Sequence, residues 1–153
     1  MTDGLELREE PYDGVAAQAL IAEVQAEYVV RYGGPDETPV DPAEFAPPAG
    51  LFLVGYVDGR AVAMGGLRHH ADGELEIKRM YVAPELRGQG LSRAVLAALE
   101  ERARRLGASR IVLETGLLQP EAISLYRSSG YDEIPGFGYY ADGELSISFE
   151  KKL

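Results

Sequence analysis

The stretch with the clearest chemical content is Met80-Tyr81-Val82-Ala83-Pro84-Glu85-Leu86-Arg87-Gly88-Gln89-Gly90-Leu91-Ser92. A strand pattern ends at Ala83-Pro84, a short loop with two glycines follows, and helical periodicity starts at once. The first N–H groups of a helix have no acceptor inside it, and the helix dipole draws anions to that end. Glycine lets a ligand approach the backbone without a Cβ in the way. A phosphate or diphosphate is therefore expected over residues 88–92. The plain alternative is that Gly88 and Gly90 only shape a tight strand-to-helix turn. Two other phosphate loops fit worse. A nucleoside-triphosphatase loop ends in Gly-Lys-Ser/Thr, which is missing here. A dinucleotide fingerprint wants a third glycine where Arg93 stands.

The elements that must position this loop are legible from periodicity. Leu5-Glu6-Leu7-Arg8 alternates as a strand, and a helix is expected over about Val15 to Tyr32, with Val15, Leu20, Ile21, Val24 and Tyr28 as its apolar face. Gly33-Gly34-Pro35 stops it, and residues 33–50, holding five of the nine prolines, read as a long loop of the functional or mobile kind. Three strands follow, over Leu51–Val57, Ala61–Arg68 and Glu74–Val82, separated by the turn signals Asp58-Gly59 and Asp72-Gly73. A second helix carries Leu91, Val95, Leu99, Ala103 and Leu106 on one side and ends at Gly107. Arg110–Glu114 then reads as a strand parallel to its predecessor across the helix, Pro120–Ser129 as a third helix, and Tyr131–Ile134 and Leu145–Phe149 as closing strands. The expectation is one domain over residues 1–153, an α/β chain with a mixed sheet.

Composition bounds the chemistry. The 153 residues are 46% hydrophobic and 26% charged, which is ordinary globular usage. With no cysteine there is no disulfide, no thiolate metal site and no cysteine nucleophile. No metal is expected, no run is long enough to span a bilayer, and the start Met1-Thr2-Asp3-Gly4 lacks a signal-peptide pattern, so the chain reads as soluble and cytoplasmic. The net charge of −10 is uneven: residues 1–50 hold 11 acids and 2 basic side chains, residues 51–153 hold 14 and 13. Nothing supplies the basic face that nucleic acid requires.

The sequence resembles the GNAT superfamily of acetyl-CoA-dependent N-acetyltransferases. Its phosphate motif, Gln or Arg, two residues, Gly, one residue, Gly or Ala, reads here Arg87-Gly88-Gln89-Gly90-Leu91-Ser92, with Ser92 a small departure. Its second motif, Asn, two residues, Ala, three residues, Tyr, three residues, Gly-Phe, reads here from Gln119 through Ala122, Tyr126 and Gly130 to Tyr131, with Gln119 in place of Asn and Tyr131 in place of Phe. The likeness is strongest over residues 51–135 and follows the whole chain in element order. It implies antiparallel N-terminal strands and a central parallel pair, ending near Val82 and Glu114, splayed to hold acetyl-CoA. The diphosphate would meet the amides of residues 88–92, and the pantetheine arm would pair with the backbone of Met80, Tyr81 and Val82. Met80 matches the position whose N–H polarises the thioester carbonyl. Tyr126 matches the general acid that protonates the leaving thiolate, against the plain reading of a packed helix tyrosine. Glu76 stands where some relatives keep a base that acts through water, against the plain reading of a solvent-facing strand carboxylate. Glu114 is a second candidate and could hold an ammonium. His69 and His70, beside Ala71-Asp72-Gly73, are better placed at a hairpin tip.

In this family the first helix, its following loop and the last hairpin build the acceptor side. Here those are residues 15–50 and 135–144, the first acidic and the second carrying Phe137, Tyr139 and Tyr140. Glu114, Tyr28 and Tyr139 are the residues expected to touch a small amine, and Arg31, Lys78 and Arg79 leave an amino acid open as acceptor. The reading is an N-acetyltransferase for a small primary amine. The alternatives are a catalytically silent acyl-CoA sensor and a protein lysine or N-terminal acetyltransferase. Relatives are often dimers, so a homodimer is a further expectation, and no membrane or nucleic-acid partner is expected.

Overall fold

A computed structural model describes residues 4–153, so the start Met1–Asp3 lies outside the described residues. The chain runs β1 (Leu5–Glu9), α1 (Val15–Tyr32), a 3-10 turn (Pro42–Phe45), β2 (Leu51–Val57), β3 (Arg60–Ala71), β4 (Glu74–Val82), a 3-10 turn (Pro84–Leu86), α2 (Leu91–Arg105), β5 (Arg110–Gly116), α3 (Pro120–Ser128), β6 (Asp132–Ile134) and β7 (Ser146–Lys152). All seven strands join one sheet in the order β1-β2-β3-β4-β5-β7-β6. The β4–β5 pair is parallel and every other pair is antiparallel. This is the mixed α/β sheet with antiparallel N-terminal strands that the sequence implies.

Both faces of the sheet are covered, which explains the unbroken apolar run of β2. Leu51 and Leu53 join the cluster built with α2 (Leu91, Val95, Leu96, Leu99), and Phe52 joins the cluster built with α1 (Leu20, Ile21, Val24). Leu96 and Leu99 are at most 1% exposed, so truncating either would cost about 2–5 kcal/mol in lost packing and cavity.

Several boundaries depart from expectation. Val15, assigned above to the apolar face of α1, is 92% exposed, because it opens the helix ahead of the part that covers the sheet. Strand β3 runs to Ala71 and includes His69 and His70, with the turn confined to Asp72-Gly73. Tyr131 precedes β6 and is buried. The 33–50 segment is pinned at several points. Asp41 and Glu44 form a capping box, and the Phe45 ring stacks on Tyr12 at 4.8 Å and meets Phe52 edge-on at 5.7 Å. Aromatic burial of this kind holds a loop in one place against its conformational entropy.

Candidate active site

The parallel pair parts. Pairing of β4 with β5 runs from Glu74↔Arg110 to Ile77↔Leu113 and goes no further, although β4 continues to Val82 and β5 to Gly116. A bulge on the other edge of β4 starts at the same place. Lys78 pairs with Gly66 and Tyr81 with Met64, so three steps on β4 span two on β3. Arg79 takes up the extra residue with φ of +63°, a left-handed conformation that costs a residue with a Cβ about 1 kcal/mol. Local bonds hold it there. The Arg79 guanidinium pairs with Asp36 and its Nε donates to the Tyr12 hydroxyl, while Tyr81 donates to Glu23 at 3.1 Å. Two adjacent cations, Lys78 and Arg79, thus lie buried in a strand, and Asp36 serves both. Lys78 Nζ stands 3.2 Å from its Oδ2 and donates to Thr38 Oγ1 at 3.1 Å. These cations and the Thr38 hydroxyl hold the Asp36 carboxyl well below the usual range, against the opposing effect of its own burial.

The gap opens onto the loop singled out above. Gly88 and Gly90 have φ of +78° and +83°, which glycine adopts at little cost. A Cβ on Gly88 would meet nothing within 4 Å, so it is conformation rather than crowding that asks for glycine. Helix α2 begins without a side-chain cap, since its N-cap is Gly90, and its first backbone bond runs from Ala94 N to Gly90 O. The N–H groups of Leu91, Ser92 and Arg93 therefore precede the helical ladder. Arg87, Gly88, Leu91 and Ser92 line a cleft of about 220 Å³ together with Met80, Tyr81 and Val82, whereas Gln89 and Gly90 shape the turn outside that lining. Arg87 donates from Nε to the Val82 carbonyl at 3.0 Å and from Nη2 to Glu27 on α1 at 2.7 Å. One lone pair of the Val82 carbonyl, expected to pair with pantetheine, is already engaged by the protein.

Helix α3 forms the far wall. Tyr126 is 5% exposed, packs edge-on against Tyr131 at 5.6 Å and lines the cleft with Gln119. Burial raises its phenol well above the ordinary tyrosine value, with a smaller contribution from Tyr28. Gln119 Oε1 accepts from the Tyr32 hydroxyl at 3.3 Å, which ties α3 to α1.

A second cavity, of about 420 Å³, adjoins the first and shares Tyr28, Asp36, Lys78, Glu114, Thr115 and Gln119 with it. Glu114 is, with Asp36, one of two carboxylates that line both. Its Oε2 accepts from Tyr140 N at 3.1 Å, while Oε1 is buried and has no partner among the described residues. A Cβ on Gly138 would lie 2.2 Å from that oxygen, so the last loop can close over Glu114 only with glycine there. Desolvation raises the Glu114 pKa, and Lys78 nearby opposes the rise.

Two expected site residues, the candidate base Glu76 and the candidate acceptor contact Tyr139, sit elsewhere. Glu76 is buried rather than solvent-facing, but it lines neither cavity. Its carboxylate accepts from Arg68 Nε at 2.9 Å, and Arg68 also donates to the Pro39 carbonyl at 3.0 Å, so Glu76 helps fasten the 33–50 loop. Tyr139 is 54% exposed and lines neither cavity. Its neighbour Tyr140 takes the place instead, accepting from Glu37 N at 2.7 Å. Tyr28 lies where expected, its phenol pushed up to about 12 by burial. His70 packs on Phe137 at 4.9 Å at the end of β3, away from both cavities. Asp36, Tyr32 and the Arg79 bulge escaped the sequence reading. Consecutive Lys78-Arg79 in the middle of a strand was the available signal, because two buried cations need an anion nearby.

A parallel pair forced apart beside an uncapped helix start defines an acyl-CoA N-acyltransferase fold. The chain matches the model of the acetyltransferase (GNAT) family over residues 18–131, and it belongs to that family. It is 35% identical over 147 residues, 95% of each chain, to a protein of Azospirillum brasilense named IAA acetyltransferase. It is 30% identical over 131 residues to YjgM of Escherichia coli, an uncharacterised N-acetyltransferase, covering 80% of this chain and 78% of that one. Among solved structures, one from Klebsiella pneumoniae, assigned as an acyl-CoA N-acyltransferase, superposes with a TM-score of 0.82 at 31% identity over 97% of both chains. A GNAT acetyltransferase from Elizabethkingia anophelis with acetyl-CoA bound shares the fold at a TM-score of 0.72, with 14% identity over 99% of both chains.

Proposed function

We propose that the protein moves an acetyl group from acetyl-CoA directly to the primary amine of a small molecule. One observation carries the reading: the cleft below the α2 loop and the larger cavity meet at Glu114, a partly buried carboxylate that would attract an ammonium. The diphosphate would lie on the amides of residues 91–93, with Gly88 and Ser92 beside it, and the pantetheine arm would run along β4. The Met80 N–H, next to the Arg79 bulge, would donate to the thioester carbonyl oxygen as charge develops there. The amine nitrogen attacks the carbonyl carbon, the C–S bond breaks, and Tyr126 supplies a proton to the departing sulfur. Burial raises the phenol, so Tyr126 carries its proton at neutral pH and has one to give. Glu114 would hold the ammonium and take its proton. The shared vocabulary of the relatives' names, acetyl transfer, supports the reaction class.

The test is release of free thiol from acetyl-CoA across a panel of small amines, run beside lysine peptides and N-terminal peptides. Turnover of small amines is expected. Release with peptides alone would reassign the acceptor class. A melting-point rise with acetyl-CoA and no release with any acceptor would leave a binding module in place of the enzyme.

A further inference from the structure

Deepening the function proposed above, and resting on it, we infer that Asp36 is a positioning residue for acetyl transfer: by gripping Arg79 from the 33–50 loop it holds the β4 bulge in shape and fixes where the Met80 N–H points. Arg79 and Met80 have no register partner on either neighbouring strand. The β3 ladder passes from Lys78 to Tyr81, and the β5 ladder ends at Ile77. Side chains must therefore set the place of these two residues. Met80 packs towards α2 beside Gly65, where a Cβ would lie 2.8 Å from Leu99 Cδ1 and 3.0 Å from Met80 Sδ. Arg79 is held on the opposite, α1 side by Asp36 and the Tyr12 hydroxyl. Its φ of +63° is one that a residue with a Cβ leaves when nothing restrains it.

Asp36 is itself built to grip. Gln25 on α1 takes both of its backbone groups, accepting from Asp36 N at 2.7 Å and donating to Asp36 O at 3.2 Å. Thr38 N and Oγ1 donate to Asp36 Oδ1 at 2.9 Å and 2.6 Å. That leaves Oδ2 turned to Lys78 and Arg79. Supporting bonds of this kind lock the direction of a side chain. Stability alone gives no reason for the arrangement. Two buried cations on one carboxylate leave a net positive charge in the strand, and apolar side chains in place of a buried ionic cluster are often as stable or more so. What the cluster supplies is a fixed backbone beside Met80.

A donor polarises a carbonyl only over a narrow range of distance and direction, and a displacement of about 1 Å costs up to about 10²-fold in rate. The proposed diphosphate site belongs to α2, a separate element. Loosening the bulge should therefore reach the rate and leave binding of acetyl-CoA largely intact.

The experiment uses the full chain and acetyl-CoA labelled with carbon-13 at the carbonyl, whose resonance moves downfield as a donor polarises it. Arg79→Ala and Arg79→Gly both lose the guanidinium and leave Asp36 and Lys78 as a balanced pair, so both are expected to fold. Only glycine takes the left-handed conformation without restraint. The bound carbonyl is expected downfield of the free thioester in the unmodified protein, back towards the free position in Arg79→Ala, and downfield again in Arg79→Gly. With a small amine, kcat should be about 10-fold lower in Arg79→Ala than in Arg79→Gly, the scale set by the left-handed penalty, while the Kd of acetyl-CoA differs by no more than a few-fold. Asp36→Asn should repeat the Arg79→Ala pattern, and its effect should shrink several-fold in the Arg79→Gly background. Should Asp36→Asn fail to fold, the alanine and glycine variants still decide. Equal carbonyl positions and rates in those two would overturn the inference. So would a carbonyl driven further downfield by Asp36→Asn, which would make the charge of Lys78 and Arg79 the active agent in place of geometry. An unmodified protein that binds acetyl-CoA without a downfield carbonyl would overturn it and leave acetyl transfer standing. Thiol release with no amine would overturn the proposed function alone, because the carbonyl readout needs no acceptor, and a protein that binds no acetyl-CoA would overturn both.

Discussion

Arg87 reaches out of the loop before α2 and meets Glu27 on α1, with 2.7 Å between Nη2 and Oε2, so that an ion pair spans the cleft below the α2 loop. Glu27 also lies 3.5 Å from Arg31, which pairs with Glu121 at the start of α3. Helix α1 is thereby tied to both rims.

If the diphosphate lies where the proposed function puts it, Glu27 competes with it for Arg87. Both side chains of the pair are partly exposed, so it adds only about 0–1 kcal/mol to stability. Glu27→Gln removes a negative charge from the cleft and frees Arg87. Calorimetric titration at low salt should show CoA binding about 2–5-fold tighter, with little change in melting temperature. Weaker or unchanged binding would contradict the competition.

Tyr126→Phe keeps the ring packing against Tyr131 and removes the hydroxyl proposed as proton donor. Turnover should fall by about 10²–10⁴-fold, the usual value of a positioned acid, while acetyl-CoA affinity stays within a few-fold. Equal loss in both quantities would mean that the hydroxyl serves binding.

Glu114 must be ionised to hold an ammonium. Because burial raises its pKa, the protonated, inactive form persists to higher pH than for an ordinary glutamate near 4.3. The acceptor kcat/KM should therefore decline on the acid side with a midpoint above that value. Glu114→Gln should lower kcat/KM and remove that acid limb. A limb that survives the substitution belongs to another group.

Asp36 acts in the opposite direction. Its carboxyl is depressed in the folded chain, so its contribution to stability is complete above the unfolded-state value near 4 and fades as pH falls below it. Urea midpoints of the unmodified protein should drop through that acid range, and those of Asp36→Asn should drop less. At pH 7 the variant should be less stable by about 3–5 kcal/mol, since Lys78 and Arg79 are left buried without their anion. Parallel midpoint curves would show that another carboxylate carries the acid sensitivity.

Much of this was legible in the residues. The helix over Val15–Tyr32 was plain from apolar spacing and the Gly33 stop, and β4 and α2 from the break at Ala83-Pro84 and the two glycines. Periodicity reports which residues face a core, so it located Tyr28, and the family motif located Tyr126, but neither could choose between Tyr139 and Tyr140 in an aperiodic loop. Glu76 misled for a similar reason. Its place in the strand was right, but a cross-strand Arg68 eight residues earlier claims the carboxylate, and only the pairing register reveals that. Asp36 belongs to a contact spanning 42 residues to Lys78, beyond any local pattern.

The added residue in β4 also says which changes this strand will tolerate. Removing Arg79 would restore an even ladder with β3, keep Tyr81 opposite Met64 and Met80 on the α2 side, and is expected to bring the edge of β4 back alongside β5. Swapped side chains there alter fit by degrees, whereas a change of length by a single position abolishes the opening outright, so descendants of this gene should vary in letters along β4 and hold constant in count.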